Sequence, residues 1–451
     1  MTVPTPGGFT PDTTLQQALD AVGGPMRLLW KPGSPNLEVP VVPPAFADWQ
    51  VEQRAATESV ALLDVSHHMN DLFIEGPDAT RVLAASSANN YEKFAIGQAK
   101  QFIAVTDEGW LLQDAILARR GENKYVLTGI GTTHSWVIYH AVTSGADVEF
   151  AFDPSSDLRG PADPRIFRYQ IQGPRALDML SPIFGDQLDD IRFFHEKEVV
   201  LDGLRFSALR HGMAGEAGFE FIGPWAISEF VKEALLVAGE PFELQQVGGR
   251  VYYTLGVDSG WLATPVPGIY EGPADAGFRA FTKVFSYEGM TALQGSYFSP
   301  DIQDYYVNPY ELGYGRSVSF NHEFTGREAL EKKKDEVHRT KVTLVWNRDD
   351  VERVFGADRD IVRSYTKDRV LLSDATVGLS EYAASSAAEN TIHSIAGVDL
   401  AHSAPGTHVE LHWGQHPGPG DPGFSDFQTI RATVQPAPYH EYARSAYRGV
   451  K

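Results

Sequence analysis

Apolar residues recur at helical spacing from Leu15 to Val22 and stop at Gly23-Gly24, which predicts a short helix. The proline-rich stretch from Lys31 to Pro44 lacks that spacing, and the fixed φ of its prolines predicts an extended arm. Helical spacing resumes from Ala47 to Ala61. It delivers the chain into Leu63-Asp64-Val65-Ser66-His67-His68-Met69, followed by a strand-like Asp71-Leu72-Phe73-Ile74 with alternating side chains. Strands are expected from Ala99 to Val105, Gly109 to Ala118 and Lys124 to Leu127, and a helix from about Thr132 to Val142. After the charged run Glu331 to Arg339 the pattern changes to short strands, Val342 to Trp346, Val370 to Leu372 and His408 to Trp413, with Gly/Pro-rich turns such as His416 to Gly423. Strands and helices mix without strict alternation, so the expected class is α+β. The expected organisation is an extended arm (1–44), a mixed body (45–336) and a β-rich C-terminal domain (337–451).

A repeat underlies the body. Ile74-x-Gly76-Pro77-x-Ala79-x-x-x-Leu83 matches Ile171-x-Gly173-Pro174-x-Ala176-x-x-x-Leu180 at every named position, and a weaker third copy is Phe221-Ile222-Gly223-Pro224-x-Ala226. Each reads as strand, tight turn, helix: glycine lets the strand bend sharply, and proline suits a first helical turn whose N–H groups have no partner. Such turns are common in α+β folds, but the two strong copies favour duplicated α+β halves.

Composition narrows the function. The 451 residues are 43% hydrophobic, with no apolar run long enough to span a bilayer. The segment from Met1 to Thr14 lacks the basic and apolar pattern of a secretory signal, so a short flexible arm of a cytoplasmic protein is expected. With 38 basic and 59 acidic residues the formal charge is -21, which repels nucleic acid and leaves an anionic small molecule only a local basic pocket. The absence of cysteine excludes disulfides, thiolate nucleophiles and Cys-ligated metals.

Generic signatures fail. Gly129-Ile130-Gly131 hints at a dinucleotide loop, yet His134 stands where the third glycine belongs, so it reads as a turn. There is no Walker A loop, nucleophile elbow or H-E-x-x-H helix. His67 and His68, if on a strand, point to opposite faces and cannot chelate one metal; no metal site is expected. The run from Gly212 to Phe221 places glycine at every third position before an aromatic strand carrying Glu220. It is either a close approach to a ligand or a loose hairpin with Glu220 in solvent.

Together these segments resemble the glycine-cleavage aminomethyltransferase (T-protein) family. Leu63 to Met69 is similar to its F-D-V-S-H-M segment, and Gly109-Trp110-Leu111-Leu112-Gln113-Asp114 to its G-G-V-I-D-D segment. Gly215 to Glu220 is similar to its folate loop, and Tyr310 to Gly315 with Gly326-Arg327-Glu328-Ala329-Leu330 to its E-A-G-L-G and G-R-E-A-L elements. Within that superfamily, His67-His68-Met69, Arg210 to Gly215, Asp304 to Glu311 and Pro436-Ala437-Pro438-Tyr439 resemble the tetrahydrofolate-dependent vanillate/3-O-methylgallate O-demethylases. The likeness runs from about residue 45 to the C-terminus. It implies three domains around a central folate channel, with a C-terminal β-barrel.

The resemblance implies demethylation of a small methoxylated aromatic, with tetrahydrofolate as methyl acceptor. An aryloxide leaves poorly, so such a reaction needs an in-line nucleophile and a positioned acid. The family's acidic tyrosine falls in Val247-Gly248-Gly249-Arg250-Val251-Tyr252, so Tyr252 is the expected acid, with His68 oriented toward the same oxygen. Tyr253, its neighbour on an extended segment, is expected to face the other way. Glu220 is the expected pterin anchor, since a carboxylate accepts two parallel hydrogen bonds. Trp261 is the candidate to stack on the pterin, and Asp114, Gln172 and Tyr310 are further cofactor residues by likeness. Arg250 and Arg327 are candidates for the glutamate tail or for internal carboxylates. An aminomethyltransferase and a non-catalytic folate-binding protein are the alternatives.

Departures from the demethylase pattern concern the substrate. Ile130 stands where those enzymes carry an arginine for the substrate carboxylate, Val65 replaces a glutamine, and Val39 replaces a tyrosine of the arm. With His67 these form the expected substrate pocket. A benzoate carboxylate buried there without a partner would cost several kcal/mol. A methoxyphenol or other less polar methoxyarene is therefore expected, unless His134, Arg119 or Arg168 restores an anion site.

Overall fold

The computed structural model describes residues 8–36, 38–420 and 426–446; parts of the expected segments Met1 to Thr14 and His416 to Gly423 lie outside them. The strands form two sheets and a barrel. The five-stranded sheet runs Gln98–Val105, Leu111–Gly121, Lys124–Gly129, Asn70–Glu75, Glu149–Asp153. The six-stranded sheet runs Glu196–Leu201, Leu204–Leu209, Gly218–Pro224, Ile166–Gln172, Ala61–Asp64, Gln245–Val247. The second order repeats the first with one strand, Ala61–Asp64, inserted near its end.

The duplication is therefore real in space. Both strong repeat copies form a strand, a Gly-Pro turn and a helix, the helices being Ala79–Ala85 and Ala176–Phe184. Gly76 and Gly173 take φ of +148° and +133°, where a Cβ would lie 2.4 Å from the Asp147 carbonyl oxygen and 2.5 Å from that of Ser59. Only glycine fits this turn. The third copy differs: Gly223 and Pro224 stay within a strand that runs through a short 3₁₀ turn into helix Ser228–Gly239. The two halves also touch at equivalent points, since Gln98 and His195, 97 residues apart, form a β-bridge and a side-chain hydrogen bond of 3.2 Å.

The arm is extended only after residue 30. Helices Leu15–Val22 and Pro25–Leu29 pack Leu15, Leu19 and Leu29 into the core beneath the five-stranded sheet, and the second helix was not legible as such in the sequence. Beyond residue 338, six of the seven strands of the C-terminal sheet close into a barrel, through the pairing of Ala375–Ser386 with Thr391–Asp399. Among the described residues no helix is long and apolar enough to cross a membrane.

Candidate active site

The inserted strand builds the site. Ala61–Asp64 pairs antiparallel with Ile166–Gln172 and parallel with Gln245–Val247, so the chain leaving Asp64 and the chain leaving Val247 emerge at the same edge. The first carries His68 and the second Tyr252, and their ring centroids lie 3.7 Å apart at 51°.

Each segment is held by its own sequence. Asp64 Oδ1 accepts from the Ser66 N–H at 3.2 Å, Ser66 Oγ accepts from the Arg168 N–H at 2.9 Å, and the His67 carbonyl accepts from the Ser156 N–H at 3.0 Å. His67 and His68 therefore sit in a turn and not on a strand, and both reach the same cavity. His67 packs against Trp225 and accepts from Arg159 Nη2 at 3.1 Å. On the other side Gly249–Tyr252 is a helical turn, correcting the extended reading. Its first N–H groups donate to the Pro43 and Pro44 carbonyls at 2.9 and 3.1 Å, and buried Glu52 accepts from the Gly248 N–H at 2.8 Å. The helical turn brings Tyr253 to the same side as Tyr252, so it does not face away.

Both tyrosines and His68 line a cavity of about 490 Å³ between the two sheets, the arm and the barrel. Val39, His67, Ile130 and Trp261 also line it. Val65 does not: it is buried behind the wall with Val251 and Tyr252. The barrel contributes Tyr365 and Tyr382, stacked at 4.6 Å, which the sequence did not single out because nothing local marks them.

The expected cofactor residues divide into two groups. Glu220 and Gln172 lie on adjacent strands together with Gln170, which the sequence did not single out and which stands opposite Glu220. Gln172 Oε1 accepts from the Met213 and Ala214 N–H groups at 2.9 and 3.1 Å, which fixes the glycine-rich loop, and Met213 reaches the cavity. Asp114 is buried behind Trp261 and accepts from its indole N–H at 3.0 Å and from Gln101 at 2.6 Å. The other group lies elsewhere. Arg250 is ion-paired with Asp360 at 2.5 Å, Arg327 with Glu323 and Glu331, and Tyr310 donates to the Leu330 carbonyl at 3.2 Å. None of these three lines the cavity, and neither do Glu220, Gln170, Gln172 and Asp114; of the expected cofactor residues Trp261 alone does.

The possible anion sites are also taken. The His134 ring nitrogen Nε2 donates to the Leu127 carbonyl at 2.8 Å, and Arg119 donates to the carbonyls of Phe94 and Glu122 at 2.5 and 2.8 Å. Arg168 is clamped between Asp71 and Glu220, 2.6 Å from each.

Residues 29–265 match the family described as the GCVT N-terminal domain. The chain belongs to this family. It is 35% identical to the syringate O-demethylase of Sphingobium sp. (strain NBRC 103272 / SYK-6) over 450 residues, covering 96% of this chain and 97% of that protein. It is 28% identical to the sesamin methylene transferase of Sinomonas sp. (strain No.22), covering 90% and 91%. Its fold matches the glycine cleavage system aminomethyltransferase T from Bartonella henselae with a TM-score of 0.63 at 17% identity, over 96% of this chain and 99% of that one.

Several buried polar atoms of this GCVT-family chain lie close to the cavity without protein partners. Both ring nitrogens of His68, the Tyr252 hydroxyl, the Gln170 amide and Gln172 Nε2 are buried without hydrogen bonds. A buried polar group without a partner is costly, so such a cluster fits a polar ligand. The amides and carboxylate of Gln170, Gln172 and Glu220 offer the donors and acceptors that a pterin edge needs, and Trp261 offers a flat surface on the cavity wall. Tetrahydrofolate fits these residues. Burial lowers the His68 imidazole to about 3, so it is neutral. Burial, reinforced by Tyr253, Tyr365 and Glu220, raises the Tyr252 phenol well above its ordinary value, so it keeps its proton. Among the described residues no group of acids and histidines is arranged to hold a metal ion.

Proposed function

We propose that this chain is a tetrahydrofolate-dependent O-demethylase that moves the methyl group of an aromatic methyl ether to N5 of tetrahydrofolate and releases a phenol. The observation that carries the proposal is the Tyr252 hydroxyl: buried, protonated, without a protein partner and on the cavity wall against a neutral His68. The 35% identity with a syringate O-demethylase supports it.

Tetrahydrofolate supplies the nucleophilic nitrogen that takes the methyl group. The chain's own residues do the rest. Gln170, Gln172 and Glu220 would hold the pterin edge, and Trp261, fixed by its hydrogen bond to Asp114, would offer it an aromatic surface. Tyr252 would donate a hydrogen bond to the departing aryl oxygen, and any proton it passes to the phenol would be made good by the one tetrahydrofolate loses on taking the methyl group. His68 presses on the Tyr252 ring and keeps unpaired nitrogens available in the same space. Tyr365 and Tyr382 close the aromatic wall and keep water from the developing aryloxide.

The test is an anaerobic incubation of the protein with tetrahydrofolate and a panel of methoxyarenes, following 5-methyl-tetrahydrofolate and the freed phenol. Equal amounts of the two products are expected. Folate binding without either product, or ammonia release from an aminomethylated carrier protein, would move the aminomethyl or non-catalytic reading ahead.

A further inference from the structure

A second polar cluster on the cavity wall has no part in the chemistry above. The Tyr287 hydroxyl accepts from Asn70 Nδ2 at 3.1 Å and lies 3.3 Å from Ser155 Oγ. Asn70 Oδ1 accepts from the Ser155 N–H at 3.0 Å, and Ser155 Oγ donates to the Asp157 carboxylate. Tyr287, Asn70 and Asp157 all face the cavity. Gly131 makes room for the Tyr287 ring, since a Cβ there would lie 2.2 Å from it. The chain places this cluster with care: Asn70 opens the strand directly after the His68 turn, so the same turn sets both.

The charge on this wall has one sign. Lys367 lines the cavity, but Glu381 cancels it at 2.8 Å, and both are buried. Glu38 is balanced by Arg363 at 3.0 Å. Asp157, exposed at the cavity wall, forms no ion pair with a described residue and is linked to the Tyr287 hydroxyl through Ser155 Oγ. A carboxylate brought here meets like charge with no cation released to meet it. A phenolic hydroxyl brought here finds the Tyr287 hydroxyl and the Asp157 carboxylate, while the Asn70 amide, filled by Gly129, Tyr287 and Ser155, holds Tyr287 in place.

Resting on the O-demethylase reading, we propose that Tyr287, Asn70 and Asp157 form a ring-substituent subsite that selects a neutral hydroxyl over a carboxylate. The preferred substrates are methoxyphenols, and methoxybenzoates are disfavoured. This chain then differs in substrate class from the relative named for syringate.

The test uses matched pairs that differ only in the carboxylate, guaiacol against vanillate and syringol against syringate, turned over by the full chain with tetrahydrofolate. The neutral member is expected to have the higher kcat/KM by about tenfold or more, and Asp157→Asn to narrow that gap by improving the benzoate. Tyr287→Phe is expected to raise KM for guaiacol about tenfold with a smaller change in kcat. Equal or faster turnover of the benzoates, or a gap that Asp157→Asn leaves intact, overturns the subsite. If no methoxyarene is turned over, the demethylase reading has failed, and the subsite is judged separately by calorimetric binding of catechol against protocatechuate to the folate-loaded protein. Preference for catechol supports it, and equal or reversed affinity overturns it.

Discussion

Asp71 and Arg168 stand 97 residues apart, at the same position in the two copies of the internal repeat, and they form a buried ion pair at 2.6 Å. In a duplicated fold with two-fold character, equivalent positions near the axis meet each other, as in an isologous interface. Here the two copies have diverged to opposite charge. Glu220 takes the other side of the guanidinium, also at 2.6 Å, so the residue expected to anchor the pterin is itself anchored by the join between the halves. Burial works against the Arg168 charge, but Asp71 and Glu220 outweigh it and raise its pKa.

Arg168→Met leaves two buried carboxylates without their cation. A loss of about 3–5 kcal/mol in unfolding free energy is expected, read by urea denaturation. An unchanged midpoint would show that the triad does not hold the halves together. Glu220→Ala is expected to weaken tetrahydrofolate binding, and a normal dissociation constant in that variant would remove Glu220 from the pterin site.

Tyr252→Phe keeps the ring against His68 and deletes the proton donor. Single-turnover rates are expected to fall by roughly two to four orders of magnitude, with little change in folate affinity. Unchanged rates would take Tyr252 out of the mechanism.

Gly173→Ala forces a Cβ to within 2.5 Å of the Ser59 carbonyl oxygen at a φ of +133°. A destabilisation of about 1–3 kcal/mol or more is expected by thermal or chemical denaturation. A neutral effect would mean that the turn relaxes freely.

His393, buried in the barrel against Tyr439, has two ring nitrogens without partners, and burial, aided by His440, lowers its pKa to about 3. The unfolded chain binds a proton there below about pH 6.5 and the folded chain does not, so stability rises with pH between these values. The contribution is complete above about pH 6.5 and is lost as pH falls toward 3. His393→Phe removes the dependence. Relative to the parent, the variant should be more stable at pH 5 than at pH 7.5 by about 2 kcal/mol. A difference that does not vary with pH would contradict the neutral, buried assignment.

Local physics made much of this protein legible from its sequence. The Gly76-Pro77 and Gly173-Pro174 turns follow from steric rules that act over a few residues, and their repetition reveals the duplication. The strand His408–Trp413 and the helix Trp49–Glu58 follow from side-chain periodicity. Likeness to a family brought His68, Tyr252, Ile130 and Trp261 to one cavity before any coordinates did.

Other features depend on which distant segments pair, and periodicity carries no record of that. The insertion of Ala61–Asp64 beside Gln245–Val247 is what sets His68 against Tyr252. A helical turn, closed by carbonyls of the arm, turned Tyr253 inward where an extended reading turned it out. Arg250 and Arg327, open in the sequence to a glutamate tail or to internal carboxylates, meet Asp360, Glu323 and Glu331 in the fold, and Val65 is buried off the cavity lining. The sequence determined the elements, the repeat and the chemical inventory. Tertiary structure decided which charges are already matched and which polar atoms are left for a ligand, because both depend on neighbours that are remote in the chain.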